Sequence, residues 1–342
     1  MKKSLLALAV MGAFAGVAHA QSAVTIYGSF DGGVRYTTNQ GPVGPDSDEG
    51  RLTMGSNGTF QSNRIGFRGV EDLGGGMNAH FNLETGFNTG TGELNNTANR
   101  LFDRTASVGF GGTWGSLDFG RQYSANFRTI GTYDPFNYKY TGIIPLAGQG
   151  GITRFNNSIQ YTGKFGPVTA RVDYALGEQV GSLRDGSAIG GGVVYAAGPF
   201  SVGGAYTNRK IADAGDFSDH NNWTVGGAWT TGPIRVAAGY ADSNQELVAG
   251  DNQRKDAWVG ASYNLTPAMA VTAAYYHSKF ENDGTPALDG KQQLGIVGLT
   301  YALSKRTNFY ADVDYLKYKD GQVPANGEDN RTGVSVGINH LF

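Results

Sequence analysis

The sequence predicts an all-β protein, a sixteen-stranded antiparallel transmembrane β-barrel. Three observations carry that expectation. The chain resolves into sixteen strand-like segments, an even number, with no helix-period stretch between them. Short turns bearing glycine or proline alternate with long polar, mostly acidic loops, as in outer-membrane barrels. Finally, Gly333 to Phe342 (GVSVGINHLF) alternates between two faces up to a terminal phenylalanine. A soluble domain usually frays or ends in a polar tail, whereas a closing strand stays paired.

The first residues indicate export. Met1-Lys2-Lys3 is a basic start, Leu5 to Val17 is apolar, and Ala18-His19-Ala20 sets small residues at both cleavage-determining positions. This predicts a secretory signal peptide over 1–20 with the mature chain starting at Gln21. A membrane anchor would need about 20 apolar residues. Residues 21–342 then form one barrel domain in the cell outer membrane. Cysteine is absent while glycine (54), tyrosine (18) and phenylalanine (18) are abundant, so an exported chain must hold its fold without disulfides. Losing Lys2 and Lys3 takes the formal charge from −2 to −4. That is too mild for a nucleic-acid partner, and no basic stripe with interleaved aromatics is present.

The strands are expected near 23–36, 61–70, 77–88, 99–111, 115–122, 155–163, 168–178, 188–197, 200–210, 221–231, 234–243, 255–265, 269–280, 291–303, 307–319 and 331–342. Between them, Leu73-Gly74-Gly75-Gly76, Phe165-Gly166-Pro167, Gly198-Pro199, Gly232-Pro233, Thr266-Pro267 and Ser304-Lys305-Arg306 make the short turns. Asp46, Asp48 and Glu49, then Asp213, Asp216 and Asp219, then Glu281 and Asp283, then Glu328 and Asp329 mark long acidic loops. Alternation is clear at 168–178, where Val168, Ala170, Val172 and Tyr174 oppose Thr169, Arg171, Asp173 and Ala175. It recurs at 77–88 and 234–241, while 269–280 is apolar on both sides and has no evident orientation. A soluble sandwich also alternates, but the charged second face recurs in strand after strand. A cylinder with lipid outside and water within satisfies every backbone group and leaves no edge; one of this strand count encloses an aqueous channel.

Residues 123–153 form a loop without alternation, rich in aromatics: Tyr123, Phe127, Tyr133, Phe136, Tyr138 and Tyr140. A loop this long is functional or disordered, and its aromatics argue that it folds into the lumen as a constriction. An external flap is the alternative. By parity Arg64, Arg154, Glu84 and Asp31 point inward, whereas Arg104 shares a face with Ala106, Val108 and Phe110.

Catalytic signals are weak. Gly333-Val334-Ser335-Val336-Gly337 matches a nucleophile-elbow pattern, but that motif needs a strand-to-helix turn and a following acid and histidine. The mature histidines, His80, His220, His277 and His340, show no metal spacing. Asp46-Ser47-Asp48-Glu49 lacks a full calcium loop. No enzyme, cofactor or resident metal is expected.

Seven segments in order resemble the general diffusion porins of the Gram-negative outer membrane, beta-proteobacterial branch. They are Val24-Thr25-Ile26-Tyr27-Gly28; Asn63-Arg64-Ile65-Gly66-Phe67-Arg68-Gly69; Glu71-Asp72-Leu73-Gly74-Gly75-Gly76; Leu117-Asp118-Phe119-Gly120-Arg121-Gln122; Arg154-Phe155-Asn156-Asn157-Ser158-Ile159; Leu303-Ser304-Lys305-Arg306-Thr307; and Asn339-His340-Leu341-Phe342. The resemblance implies a homotrimer of barrels, each with its third loop in the lumen. It also implies a ladder of basic wall residues, Arg64, Arg104 and Arg154, facing Glu84, Asp31 and, from the loop, Asp134. With Arg128 and Lys139 in the loop against Asp134 alone, the constriction is expected to favour anions modestly. The expected function is passive diffusion of small hydrophilic solutes and ions, with a substrate-specific channel as the alternative. The acidic loops suggest contact with lipopolysaccharide phosphates through divalent cations.

Overall fold

The computed structural model describes residues 23–54, 59–96, 98–146 and 153–342. The expected signal peptide lies outside the described residues, as does part of the third loop, 147–152. Sixteen long strands and one short one make a single sheet. In order they are β1 (Ala23–Thr37), β2 (Arg51–Met54), β3 (Arg64–Gly74), β4 (Met77–Gly86), β5 (Thr105–Gly112), β6 (Gly115–Tyr123), β7 (Arg154–Phe165), β8 (Val168–Ala175) and β9 (Ala188–Ala197). The second half holds β10 (Phe200–Asp213), β11 (Asp216–Thr231), β12 (Ile234–Gln245), β13 (Asn252–Thr266), β14 (Met269–Asn282), β15 (Gly290–Ala302), β16 (Thr307–Asp320) and β17 (Asn330–Leu341).

Each wall strand pairs antiparallel with its sequence neighbour, and β1 closes the ring. Ser29–Thr37 pairs with Gly333–Leu341 of β17, and Ala23–Ser29 pairs with Arg64–Val70 of β3. Phe342 completes the seam by exchanging backbone hydrogen bonds with Gly28. The ring therefore has no free edge, which removes the usual liability of a long sheet. The short β2, inside the first loop, pairs with residues 34–37 of β1. No strand was expected over these residues from the sequence.

The two faces sort as expected. Val24, Ile26, Val172, Val225, Val259, Val297, Val313, Val334 and Val336 are exposed on the outside, where lipid is the fitting solvent. Asp173, Asn222, Asp256 and Ser335 are buried on the inside. Strand β14, which the sequence left without orientation, turns Ala274, Tyr276 and Ser278 inward and Ala273 and Tyr275 outward. Most strand boundaries shift by a few residues, with the largest shifts at two places. The fifth strand begins at Thr105, not near residue 99. The connection carrying Asp213 and Asp216 is not a long loop: Ala214 (φ 48) and Gly215 (φ 90) form a two-residue hairpin tip. Positive φ at both central positions matches the right-handed strand twist, so β10 and β11 simply run on, and Asp219 lies within β11.

Among the described residues, the larger apolar cluster of the barrel interior forms where the third loop docks. Ile130, Tyr133, Phe136, Tyr140, Ile143, Ile144 and Leu146 pack against Trp258, Tyr276, Leu294, Ile296, Tyr310 and Leu316 of the inner wall, together with Phe60. Each such side chain fully withdrawn from water contributes roughly 1.5–3 kcal/mol. The loop is thus held in the lumen and is not an external flap.

Candidate pore constriction

The loop enters the lumen from Tyr123 at the end of β6. Ser124 caps a six-residue helix, α1 (Ala125–Ile130), by accepting from the Phe127 N–H at 3.1 Å. Asp173 on the wall accepts from the Ala125 N–H (2.6 Å), and Asn126 donates to Asn222 (2.7 Å). After the helix, Arg235 of β12 clamps three loop carbonyls: Thr132 (3.1 Å), Asp134 (3.0 Å) and Pro135 (3.2 Å). Trp258 donates to the Tyr133 carbonyl at 3.1 Å.

The seat under the loop is made of glycine. A Cβ at Gly192 would stand 2.4 Å from Thr129 Oγ1, at Gly226 2.3 Å from the Tyr133 ring, at Gly260 2.7 Å from Pro135 and at Gly298 2.8 Å from Tyr140 Oη. All four sit at inward positions of β9, β11, β13 and β15. The sequence shows abundant glycine there but not the reason, since a residue without a side chain leaves no polarity pattern.

What remains open is a cleft of about 380 Å³ between the loop and the opposite wall. Arg64, Arg104, Arg154, Lys139, Asp103 and Tyr123 are among the residues lining it. Glu84 holds two of the arginines, with Arg104 Nε at 2.6 Å and Arg64 Nε at 3.6 Å, and accepts from Tyr27 at 3.0 Å. Tyr123 joins the other side. Its phenol oxygen accepts from Arg104 (2.7 Å) and Arg154 (2.5 Å), and the Arg154 guanidinium lies 4.1 Å from its ring centre. The Tyr123 ring stacks on Phe127 (4.9 Å), which stacks on Tyr138 (4.1 Å). A phenol accepts these hydrogen bonds without cancelling the guanidinium charges.

The three arginines therefore converge, Arg104 against parity. Arg104 escapes its neighbours' outward face because it precedes the first residue of β5, its N–H bonding the Glu84 carbonyl. In β7 the shared face expected for Arg154, Asn156 and Ser158 is broken by a bulge at Asn157 (φ 50). Ser158 stays inward while Asn156 is exposed and bonded to Arg121.

Two expected carboxylates do not line the cleft. Asp31 points inward, but the end of the first loop covers it completely. It is 0% exposed, accepting from the Gln61 N–H (2.8 Å) and Tyr310 Oη (2.7 Å). Asp134 is also 0% exposed and pins the loop to the wall, accepting from the Tyr138 N–H and Tyr276 Oη, each at 2.7 Å. Burial raises the Asp134 carboxyl to about 6, as befits a buried anchor and not a solvated charge. Asp103, which the sequence reading passed over, lines the cleft instead and also accepts from the Gly86 N–H at 2.7 Å. Tyr123 was legible only as a loop aromatic.

Comparison with known proteins identifies the family. The sequence model of the Gram-negative porin family matches residues 7–321. The chain belongs to that family. Among curated relatives, outer membrane porin protein 32 of Delftia acidovorans is 34% identical, with both chains covered completely. An outer membrane porin of Bordetella pertussis is 30% identical, again over the whole of both chains. Among solved structures, the anion-selective porin from Comamonas acidovorans superposes with a TM-score of 0.81 at 29% identity, covering 94% of this chain and 100% of that one. The porin is an outer-membrane channel for passive diffusion, and its sixteen-stranded barrel is the fold of its structural neighbours.

Proposed function

We propose that this porin passes small hydrophilic anions in preference to cations, without turnover or cofactor, and that it works as a homotrimer in contact with outer-membrane lipid. One observation carries the preference. Four cations, Arg64, Arg104, Arg154 and Lys139, line the cleft against Asp103, with the buried Glu84 paired behind Arg64 and Arg104. The carboxylates expected to balance them, Asp31 and Asp134, are sealed into the wall. The similarity to a porin named as anion-selective supports the same reading. Reversal potential across a planar bilayer in a potassium chloride gradient tests it: an anion-signed potential is expected, and a cation-signed one overturns the proposal. For the trimer, light scattering of the detergent-solubilised protein should give three chains per particle; one chain per particle would refute it.

The preference should weaken in alkali. Burial lowers the Lys139 ammonium to about 8, with Arg64 pushing the same way and Asp31 opposing. Below that value the lysine is charged and attracts anions; above it the charge is lost, while the arginines stay protonated. The anion-to-cation ratio is therefore expected to fall, without reversing sign, as pH rises through about 8. Lys139→Arg should abolish the fall. In Tyr123→Phe, Arg104 and Arg154 lose their common acceptor, and noisier open-channel current is expected in single-channel records.

A further inference from the structure

One register line on the outer surface stands apart from the rest of the wall. It begins with Tyr206 and Trp223, which pair across β10 and β11, and passes through Asp242 on β12. It then meets Lys255, Lys279, Lys291 and Lys319, each directly opposite the next on β13, β14, β15 and β16. All four lysines share the outward parity of Val259, Tyr275, Val297 and Tyr315, which are exposed on the lipid side. Outward tyrosine and tryptophan mark the membrane interface. Two register steps toward the lipid lies the row Val259, Tyr275, Gly295 and Tyr315. The lysines thus stand where the apolar band gives way to headgroups.

Like charges directly opposite each other destabilise a strand pair, and here three such pairs follow in succession. Glu281 relieves only part of this, reaching Lys255 and Lys279 at 2.7 Å each. Among the described residues no ion pair is recorded for Lys291 or Lys319. A hollow of about 450 Å³ opens beside the row, lined by Lys279 and Lys291 together with Glu281, Asp289 and Asp320. Of its acids, Glu281 is engaged by the two lysines and Asp289 accepts from the Asn282 N–H at 2.6 Å. One register step further out, the wall on β10 to β13 carries Asn208, Asn221, Asn244 and Gln253, a neutral line. The basic row is confined to four strands. Cross-strand neighbours stand about 5 Å apart, so four of them span roughly 15 Å, enough to engage more than one anionic group of a single headgroup.

We propose that Lys255, Lys279, Lys291 and Lys319 form a binding site on the barrel's outer surface for the phosphate groups of lipopolysaccharide. This rests on the outer-membrane location and not on the ion preference of the pore. The contact is direct, lysine ammonium to phosphate oxygen, and differs from cation-bridged contact through the acidic loops.

The test uses the full-length protein in detergent with purified deep-rough lipopolysaccharide as the probe, retention being measured by native mass spectrometry across a titration. Lys291→Gln with Lys319→Gln is expected to weaken retention roughly 25-fold, each lysine near an anionic surface contributing about fivefold. Lys291→Arg with Lys319→Arg should keep it. Enzymatically dephosphorylated lipopolysaccharide should bind the unaltered protein as weakly as the intact probe binds the glutamine variant, a comparison that needs no variant to fold. Retention should survive chelation of divalent cations. Equal binding of the dephosphorylated probe would overturn the proposal, as would full release by chelator, which would assign the lipid to bridged loop acids. Conductance is read separately, and a protein that conducts normally yet retains no lipid would sink this site while leaving the pore assignment intact.

Discussion

Arg154→Ala should lower anion permeability by roughly two- to thirty-fold and raise cation permeability by a similar factor, read as a shift of reversal potential toward the cation side. The estimate follows from removing one unit charge about 8 Å from the ion path at an effective dielectric between about 20 and 80, worth about 0.5–2 kcal/mol. Arg154 is the cleanest of the three arginines to remove. Its recorded partners are the phenol oxygen and ring of Tyr123, so its loss strands no buried carboxylate. Arg64→Ala should act in the same direction. Arg104→Ala would also leave Glu84 without its 2.6 Å partner, mixing a selectivity effect with a local packing one. An unchanged reversal potential in both Arg154→Ala and Arg64→Ala would remove these residues from the selectivity apparatus.

Gly226→Leu is expected to dislodge the third loop and raise single-channel conductance while leaving the barrel folded. Even the first added carbon would meet the Tyr133 ring at 2.3 Å and the Ala238 carbonyl oxygen at 2.7 Å. Relieving that overlap within a packed interior costs about 1–3 kcal/mol or more. The wall strands are fixed by neighbours on both sides, so the loop is the part that yields. Asp134→Leu should move conductance the same way by removing the acceptor shared by Tyr138 and Tyr276. Asp134→Asn, which keeps an acceptor oxygen at that site, should stay close to the unaltered channel. Conductance no larger in Gly226→Leu than in the unaltered protein would mean that this glycine is not what seats the loop.

The wall was legible because each strand carries two solvents' worth of information. Val172 and Asp173, or Val336 and Ser335, announce lipid and lumen in adjacent residues. Parity reports the side to which a side chain points but not what lies over it. Asp31 points inward as read and is nevertheless sealed under the Phe60–Gln61 segment. Parity also fails where regular pairing stops, at Arg104 ahead of β5 and at Asn156 beside the Asn157 bulge. Arg104 is legible only through the family resemblance, whereas parity alone places Arg154 inward. The glycine seat and the Tyr123 acceptor depend on contacts between segments far apart in the chain, and no local periodicity encodes them.

The hairpin that replaced an expected long loop has a practical use. Residues 210–213 and 216–219 pair only with each other in the sheet, past the ends of β9 at Ala188 and β12 at Gln245. A stiff two-stranded ribbon thus projects outward and ends at Ala214 and Gly215. Exposed loop tips tolerate inserted sequence best. A foreign epitope grafted between those two residues would be displayed on a rigid stalk above the cell surface, clear of the permeation path and of the seam where the cylinder closes.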